Sequence, residues 1–219
     1  YRVDALGLCA GEYVIKVVPY ANGEEIEGKA AVTDVLTVMA YDRSGFAFST
    51  DSTLQTGSGA YNDDGTLKSD AIVIYIYGDT AKTVSASIQT GKNKYTTCTG
   101  LQAIIDAYQK GYETRPLDVR LIGNITADNI DYFSSSSEGL QIKGKKSYSN
   151  LGITIEGVGE DASVYGFGFL LRNAGNVEIR NFSILYFMDD GISIDTDNCN
   201  IWVHNMDIYY GKSGSDSDQ

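Results

Sequence analysis

Two segments near the end of the chain repeat at a fixed interval, and this interval narrows the possible folds more than any other feature. Gly175-Asn176-Val177-Glu178-Ile179-Arg180-Asn181 is followed by Cys199-Asn200-Ile201-Trp202-Val203-His204-Asn205. Asn176 and Asn200, Val177 and Ile201, Ile179 and Val203, and Asn181 and Asn205 are each 24 residues apart. Another step of 24 residues back reaches Ile153 and Ile155. A short β-run recurring at such a period predicts a solenoid of stacked coils. Stacking turns spacing into geometry, because residues one period apart then lie one strand spacing, about 4.8 Å, from each other.

The 219 residues allow one large domain, or one domain with part of a second. A hydrophobic content of 42% supports a packed core. The longest apolar run, Ala71 to Tyr77, is too short to span a bilayer. Only 2 prolines against 24 glycines, with abundant Ser, Thr, Asn and Asp, suit an all-β chain with many tight turns. The net charge of −12 disfavours nucleic acid and anionic membranes as partners. It would also repel a polyanion unless cations line the site. Cys9, Cys98 and Cys199 lack metal-ligand spacing and are expected to be buried free thiols. The chain begins at Tyr1, so the lack of a visible signal peptide says nothing about destination.

Residues 1–39 read as short strands, with an Asn22-Gly23 hairpin turn between Tyr13–Val18 and Val35–Val38. The run Leu6 to Val17, with Leu8, Gly11 and Tyr13 in an L-x-x-G-x-Y pattern, resembles the last third of a fibronectin type III module. That resemblance implies a tyrosine-corner-like turn and a partial β-sandwich remnant. A hairpin belonging to the main domain is the alternative. Residues 40–70 are a linker and lead-in segment rich in Gly, Ser, Asp and Asn. Within 71–219, Leu101, Ile104, Ile105 and Tyr108 mark an amphipathic helix that would cap the first coil. Thr99 and Gln102 suggest a capping box for it, and Gly111 its exit. Short strands follow at 119–122, 153–155, 169–171, 177–179, 192–194 and 201–203.

Five segments resemble the N-terminal half of polysaccharide lyase family 1, the pectate lyases. They are Pro116–Thr126, Ile153–Gly159, Asn176–Asn181, Asp190–Ile194 and Asn200–Asn205, and the resemblance covers about residues 60–219. It implies a right-handed parallel β-helix, incomplete at its C-terminal end, with an N-terminal capping helix. One departure stands out: the family's W-x-D-H is here Trp202-Val203-His204-Asn205.

The resemblance also implies chemistry. Calcium would bridge uronate carboxylates to aspartates, an arginine would take the C5 proton, and the glycosidic oxygen would leave by β-elimination. Neutralising the carboxylate stabilises the developing enolate. Asp189 and Asp190 match the first calcium carboxylates, and Asp216 and Asp218 resemble the next acidic pair. Solvated turn aspartates and a solvated tail are the respective alternatives. Calcium takes about 6–8 oxygens, so four monodentate aspartates leave its shell incomplete. The family's catalytic arginine lies beyond the segment matching Gln219, and the chain as given is expected to be inactive alone. Arg172 and Arg180 read as structural, as does His204, the single histidine. Asn176, Asn181, Asn200 and Asn205 are expected to form ladders from coil to coil. Tyr209 and Tyr210 lie near the expected groove.

The expected function is therefore calcium-dependent pectate lyase activity on polygalacturonate or pectin, in a secreted or cell-surface protein that is monomeric at full length. A non-catalytic carbohydrate-binding or adhesive β-helix is the alternative. A hydrolase on the same fold would need paired aspartates near a G-H-G-type turn, and the sequence has none.

Overall fold

The computed structural model describes residues 3–40, 42–55, 57 and 59–213. Its first elements are β1 (Gly11–Tyr13), β2 (Lys16–Val17), β3 (Tyr20–Ala21), β4 (Glu24–Glu25), β5 (Ala31–Val32) and β6 (Leu36–Val38). They nest as one antiparallel ribbon in which β1 pairs with β6, β2 with β5 and β3 with β4. Asn22 (φ 54) and Gly23 (φ 86) are both left-handed, as a tight hairpin turn requires. The Tyr13 hydroxyl donates to the Cys9 carbonyl at 2.9 Å, the contact expected of the L-x-x-G-x-Y pattern. The regular structure of residues 3–40 is this single ribbon, and Val14, Val17, Tyr20, Val32 and Val35 on it stay 58–64% exposed. Cys9 is exposed as well, so only part of the buried-thiol expectation holds: all three cysteines are free, with Cys98 and Cys199 half-buried.

The rest of the chain is built on parallel sheets. After β7 (Ile72–Ile76) come β8 (Ser85–Gly91), β9 (Lys94–Thr99) and the helix α1 (Leu101–Tyr108). Then follow β10 (Leu117–Leu121), β11 (Asn124–Thr126), β12 (Gly139–Lys143), β13 (Ser149–Gly157), β14 (Ser163–Tyr165) and β15 (Gly168–Arg172). The last are β16 (Ala174–Arg180), β17 (Ser183–Leu185), β18 (Ile192–Ile194), β19 (Cys199–His204) and β20 (Asp207–Ile208). From β10 onward the chain visits three parallel sheets in rotation. One sheet has five strands, β7-β10-β13-β16-β19; one has four, β11-β14-β17-β20; one has three, β12-β15-β18.

The register explains the 24-residue period. Val177 pairs with Ile201 and Ile179 with Val203, while Ile153 and Ile155 pair with Val177 and Ile179 on the other side. Ile74, Val119, Ile155 and Ile179 thus form one row across the five-stranded sheet, and Ile72, Leu117, Ile153 and Val177 another. Both rows belong to one core that also holds Phe167, Phe169 and Phe182 from the other circuits. Burying each such side chain contributes roughly 1.5–3 kcal/mol. Strand alternation puts polar residues on the opposite face. Asn181 and Asn205, directly after β16 and β19, and Asn176 and Asn200, within those strands, are all left-handed, with φ between 51 and 61.

Helix α1 closes one end of the core through Leu101, Ile104 and Ile105, all at most 1% exposed. The capping box at Thr99 does not form. Thr99 is held in β9, paired with Ser85, and Gly100 takes the N-cap position. Asp131, 29 residues beyond Gln102, caps instead: its two oxygens accept from the amides of Gln102 and Ala103 at 2.9 and 3.0 Å. A Cβ at Gly100 would lie 2.2 Å from Asp131 Oδ2, so only glycine admits this cap. The β8–β9 hairpin, which the period of the strands did not suggest, packs beside the helix and buries Ile88. No helix among the described residues is long and apolar enough to cross a membrane.

Gln102 finishes the end cap. It is fully buried; its amide donates to Gln141 O at 3.0 Å, and its carbonyl accepts from Gln141 N at 2.9 Å. The side chain thus pairs with the outer edge of β12 as a neighbouring strand would. Gln102→Leu keeps the volume but orphans both backbone groups, and is expected to cost about 1–3 kcal/mol in urea unfolding. An unchanged midpoint would show that the edge is satisfied without Gln102.

Candidate functional site

The turn joining β17 to β18 carries Asp189 and Asp190, both half-buried. Its backbone is fixed from two sides. Tyr186 N donates to Tyr210 O, and Lys212 N to Phe187 O, each at 2.7 Å, which docks the turn on the following circuit. Phe169 N donates to Gly191 O at 3.0 Å, which docks it on the preceding one. A Cβ at Gly168 would stand 2.1 Å from the Asp190 carbonyl, so the two circuits approach this closely only because that position is glycine. Phe187, 1% exposed, anchors the turn in the core.

Beside this turn opens a cleft of about 540 Å³ whose lining includes Asp128, Tyr165, Gly166, Tyr186, Met188 and Lys212. The Tyr165 and Tyr186 rings stack at 5.2 Å with 13° between planes, and Tyr210 meets Tyr186 edge-on at 6.1 Å. Tyr209, the other aromatic expected near the groove, is 57% exposed. Asp216 and Asp218 lie outside the described residues. Oxygen donors such as Asp189 and Asp190 have the hardness calcium prefers. Among the described residues no three His, Cys, Asp or Glu side chains converge, so these two carboxylates alone do not reach a calcium shell. Glu138 occupies the equivalent turn two circuits earlier, but its carboxylate is held locally by the Ser135 hydroxyl.

A second polar cluster lies on the outer face of the five-stranded sheet. Tyr75, Arg120, Glu156, Arg180 and His204 form one row, and Asp118, Thr154, Glu178 and Trp202 the next. Like charges are kept apart by alternating sign along the first row. Arg120 pairs with Asp118 at 2.8 Å, and Arg180 with Glu156 at 2.6 Å and Glu178 at 3.1 Å. His204 Nε2 lies 3.1 Å from Glu178, and its ring stacks on Trp202 at 3.7 Å. Arg180 and His204 are therefore committed to a structural network, and Arg172 forms an ion pair with Asp195 at the surface.

The lead-in segment covers this face. The Tyr61 hydroxyl reaches Glu156 at 2.5 Å and Asp118 at 3.3 Å, with the Arg180 guanidinium 4.4 Å from its ring centre. Gly59 N donates to Asn176 Oδ1 and Ala60 N to Thr154 Oγ1, both at 2.9 Å. Asn200 donates to the Ala47 carbonyl at 2.7 Å and accepts from Ser52 at 2.6 Å. Asn176 and Asn200 therefore tie down the covering segment rather than bonding each other. The coil-to-coil bonds expected of the asparagines are made by Asn176 to Asn150 at 3.0 Å and by Asn181 to the Gly157 carbonyl at 2.7 Å. Residues 47–61 gave no sequence signal for this role beyond their wealth of small polar residues.

Comparison with protein-family models, with curated proteins and with solved structures finds no match to this chain. The functional reading rests on the residues and their geometry.

Asp118 sets a pH dependence. Burial, followed by repulsion from Glu156, pushes its carboxyl up to about 7 despite the pairing with Arg120, and its Oδ1 is buried without a partner. A group raised on folding stabilises the fold below its unfolded value of about 3.9 and loses that contribution as pH rises through the folded value. Glu113, lowered to about 2 chiefly by the Arg115 hydrogen bond acting against burial, changes stability only in more acid solution. The urea midpoint is therefore expected to fall between pH 5 and pH 8, and Asp118→Asn to flatten that fall. An equally steep fall in the variant would assign it to other groups.

Proposed function

We propose that the chain forms a right-handed parallel β-helix of the pectate lyase kind, acting on an acidic polysaccharide with calcium. The observation that supports this most is positional. The acidic turn carrying Asp189 and Asp190 enters the third strand of the three-stranded sheet, beside an open cleft lined by stacked tyrosines. Three of the segments that resemble the family, Ile153–Gly159, Asn176–Asn181 and Asn200–Asn205, lie on successive, in-register strands of one sheet.

Bound calcium would neutralise a uronate carboxylate and so acidify the adjacent C5 proton. Asp189 and Asp190 would supply oxygen ligands from a turn whose backbone is held on both sides, so little ordering is needed on binding. Their half-buried position lowers the local dielectric and strengthens attraction to a cation. The net charge of −12 makes such a cation necessary, since a polyuronate would otherwise be repelled.

A carbohydrate-binding role without catalysis is the second reading, favoured by the exposed tyrosine stack. Two measurements separate them. Calcium titration by calorimetry in the presence of trigalacturonate should show binding that Asp190→Ala weakens at least about tenfold, a loss of about 1.4 kcal/mol. Unchanged calcium affinity removes the metal assignment. Release of unsaturated uronide from polygalacturonate by the full-length protein, followed by ultraviolet absorbance, supports the lyase. Saccharide binding with no such product supports the binding protein.

A further inference from the structure

We propose that the cleft over Gly166 is a pyranose-binding subsite, in which a sugar ring lies on the Tyr165–Tyr186 pair. The inference rests on the saccharide reading above but needs neither calcium nor bond cleavage.

Glycine suits one point of the cleft's lining. Gly166 sits directly after β14 with φ +87, a conformation that favours glycine, and a Cβ there would meet the Ala127 side chain at 3.3 Å. In the next circuit the chain places Tyr186 at the corresponding turn, and after it Tyr210, aligned by the Gly166 N to Leu185 O and Tyr186 N to Tyr210 O hydrogen bonds. A small residue beneath stacked aromatics leaves a slot with a flat, apolar wall. Its volume of about 540 Å³ falls in the range of about 300–1,000 Å³ usual for small-molecule sites.

The wall is accessible and polar groups surround it. Tyr165 is 40% exposed and Tyr210 46%, although an aromatic stack serving only the core would be buried. Asp128, also in the lining, is exposed and has no hydrogen-bond or ion-pair partner among the described residues. A carboxylate in the same cleft as an aromatic surface suits a pyranose: the apolar C–H face stacks on the ring while edge hydroxyls donate to the carboxylate. Met188, in the lining, directly precedes Asp189 in the chain, so the slot and the acidic turn belong to one connection between β17 and β18. The lining carries both Asp128 and Lys212, so the slot is not of one sign, and its aromatic wall with polar groups around it suits the ring and its hydroxyls.

Saturation-transfer NMR on the 219-residue chain, with a neutral galactose trimer in EDTA, tests the subsite without the metal. Binding is expected, with transfer strongest to the sugar C–H protons. Tyr165→Ala and Tyr186→Ala should each weaken it about 3- to 10-fold. Tyr165→Phe should restore it, and Tyr20→Ala on the remote ribbon should leave it unchanged. Thermal melts confirm that each variant is folded. Trigalacturonate, repelled by the net charge of −12 when calcium is chelated, should bind less well than the neutral trimer; binding of trigalacturonate alone would overturn ring stacking in favour of carboxylate recognition. No binding in EDTA, or equal affinity in Tyr165→Ala, also overturns the proposal. Should Asp190→Ala leave calcium affinity unchanged while EDTA-resistant binding persists, the metal reading fails and the subsite stands.

Discussion

In-register hydrogen bonding between successive circuits sets Val119 against Ile155 and Ile155 against Ile179, and the remaining features depend on that alignment. Because strand side chains alternate, one row turned inward commits the next to the outside. A slip of one residue would bring Glu156 and Arg180 into the core and expose the isoleucines. The cost of burying unpaired charge makes such a slip prohibitive. Asn181, left-handed at the corner after β16, bonds the circuits on both sides, its side chain donating to the Gly157 carbonyl and its backbone amide to the Asn205 carbonyl.

The middle of the outward face of the five-stranded sheet does not meet water, although Tyr75 at one edge is 50% exposed. Asp118, Glu156 and Glu178 are at most 2% exposed because the lead-in segment lies over them. Three carboxylates and two guanidiniums there are mutually satisfied except at Asp118 Oδ1. The ion pairs hold the covering segment in one place more than they add stability, since desolvation offsets much of their attraction. The open face of the molecule is elsewhere, at the turns between the four- and three-stranded sheets, where Asp189, Asp190 and the stacked tyrosines lie.

Much of the parallel architecture was legible in the sequence, since the repeat from Asn176 to Asn200 encodes one circuit and its inward positions. Helix α1 was legible from its apolar stripe, but its cap was not, because Asp131 is distant in sequence and Thr99 belongs to a strand. The covering role of residues 47–61 was illegible for a similar reason: Gly59 and Tyr61 contact Asn176 and Glu156, about 100 residues away, with no local pattern. Of the candidate site, Asp189 and Asp190 were found from sequence. The Tyr165–Tyr186 slot was not, because its two rings come from neighbouring circuits, 21 residues apart, and stack only once those circuits are in register.

The sequence by itself determined which residues face inward and the spacing of the last circuits, from Ile153 through Val177 to Ile201, because both follow from the two-residue strand period and the 24-residue repeat. Only the tertiary structure decided what lies over each outward face. Local pattern governs a strand's own geometry, whereas coverage depends on where a distant segment returns. That return is fixed by hydrogen bonds such as Ala60 to Thr154, which no spacing along the chain records.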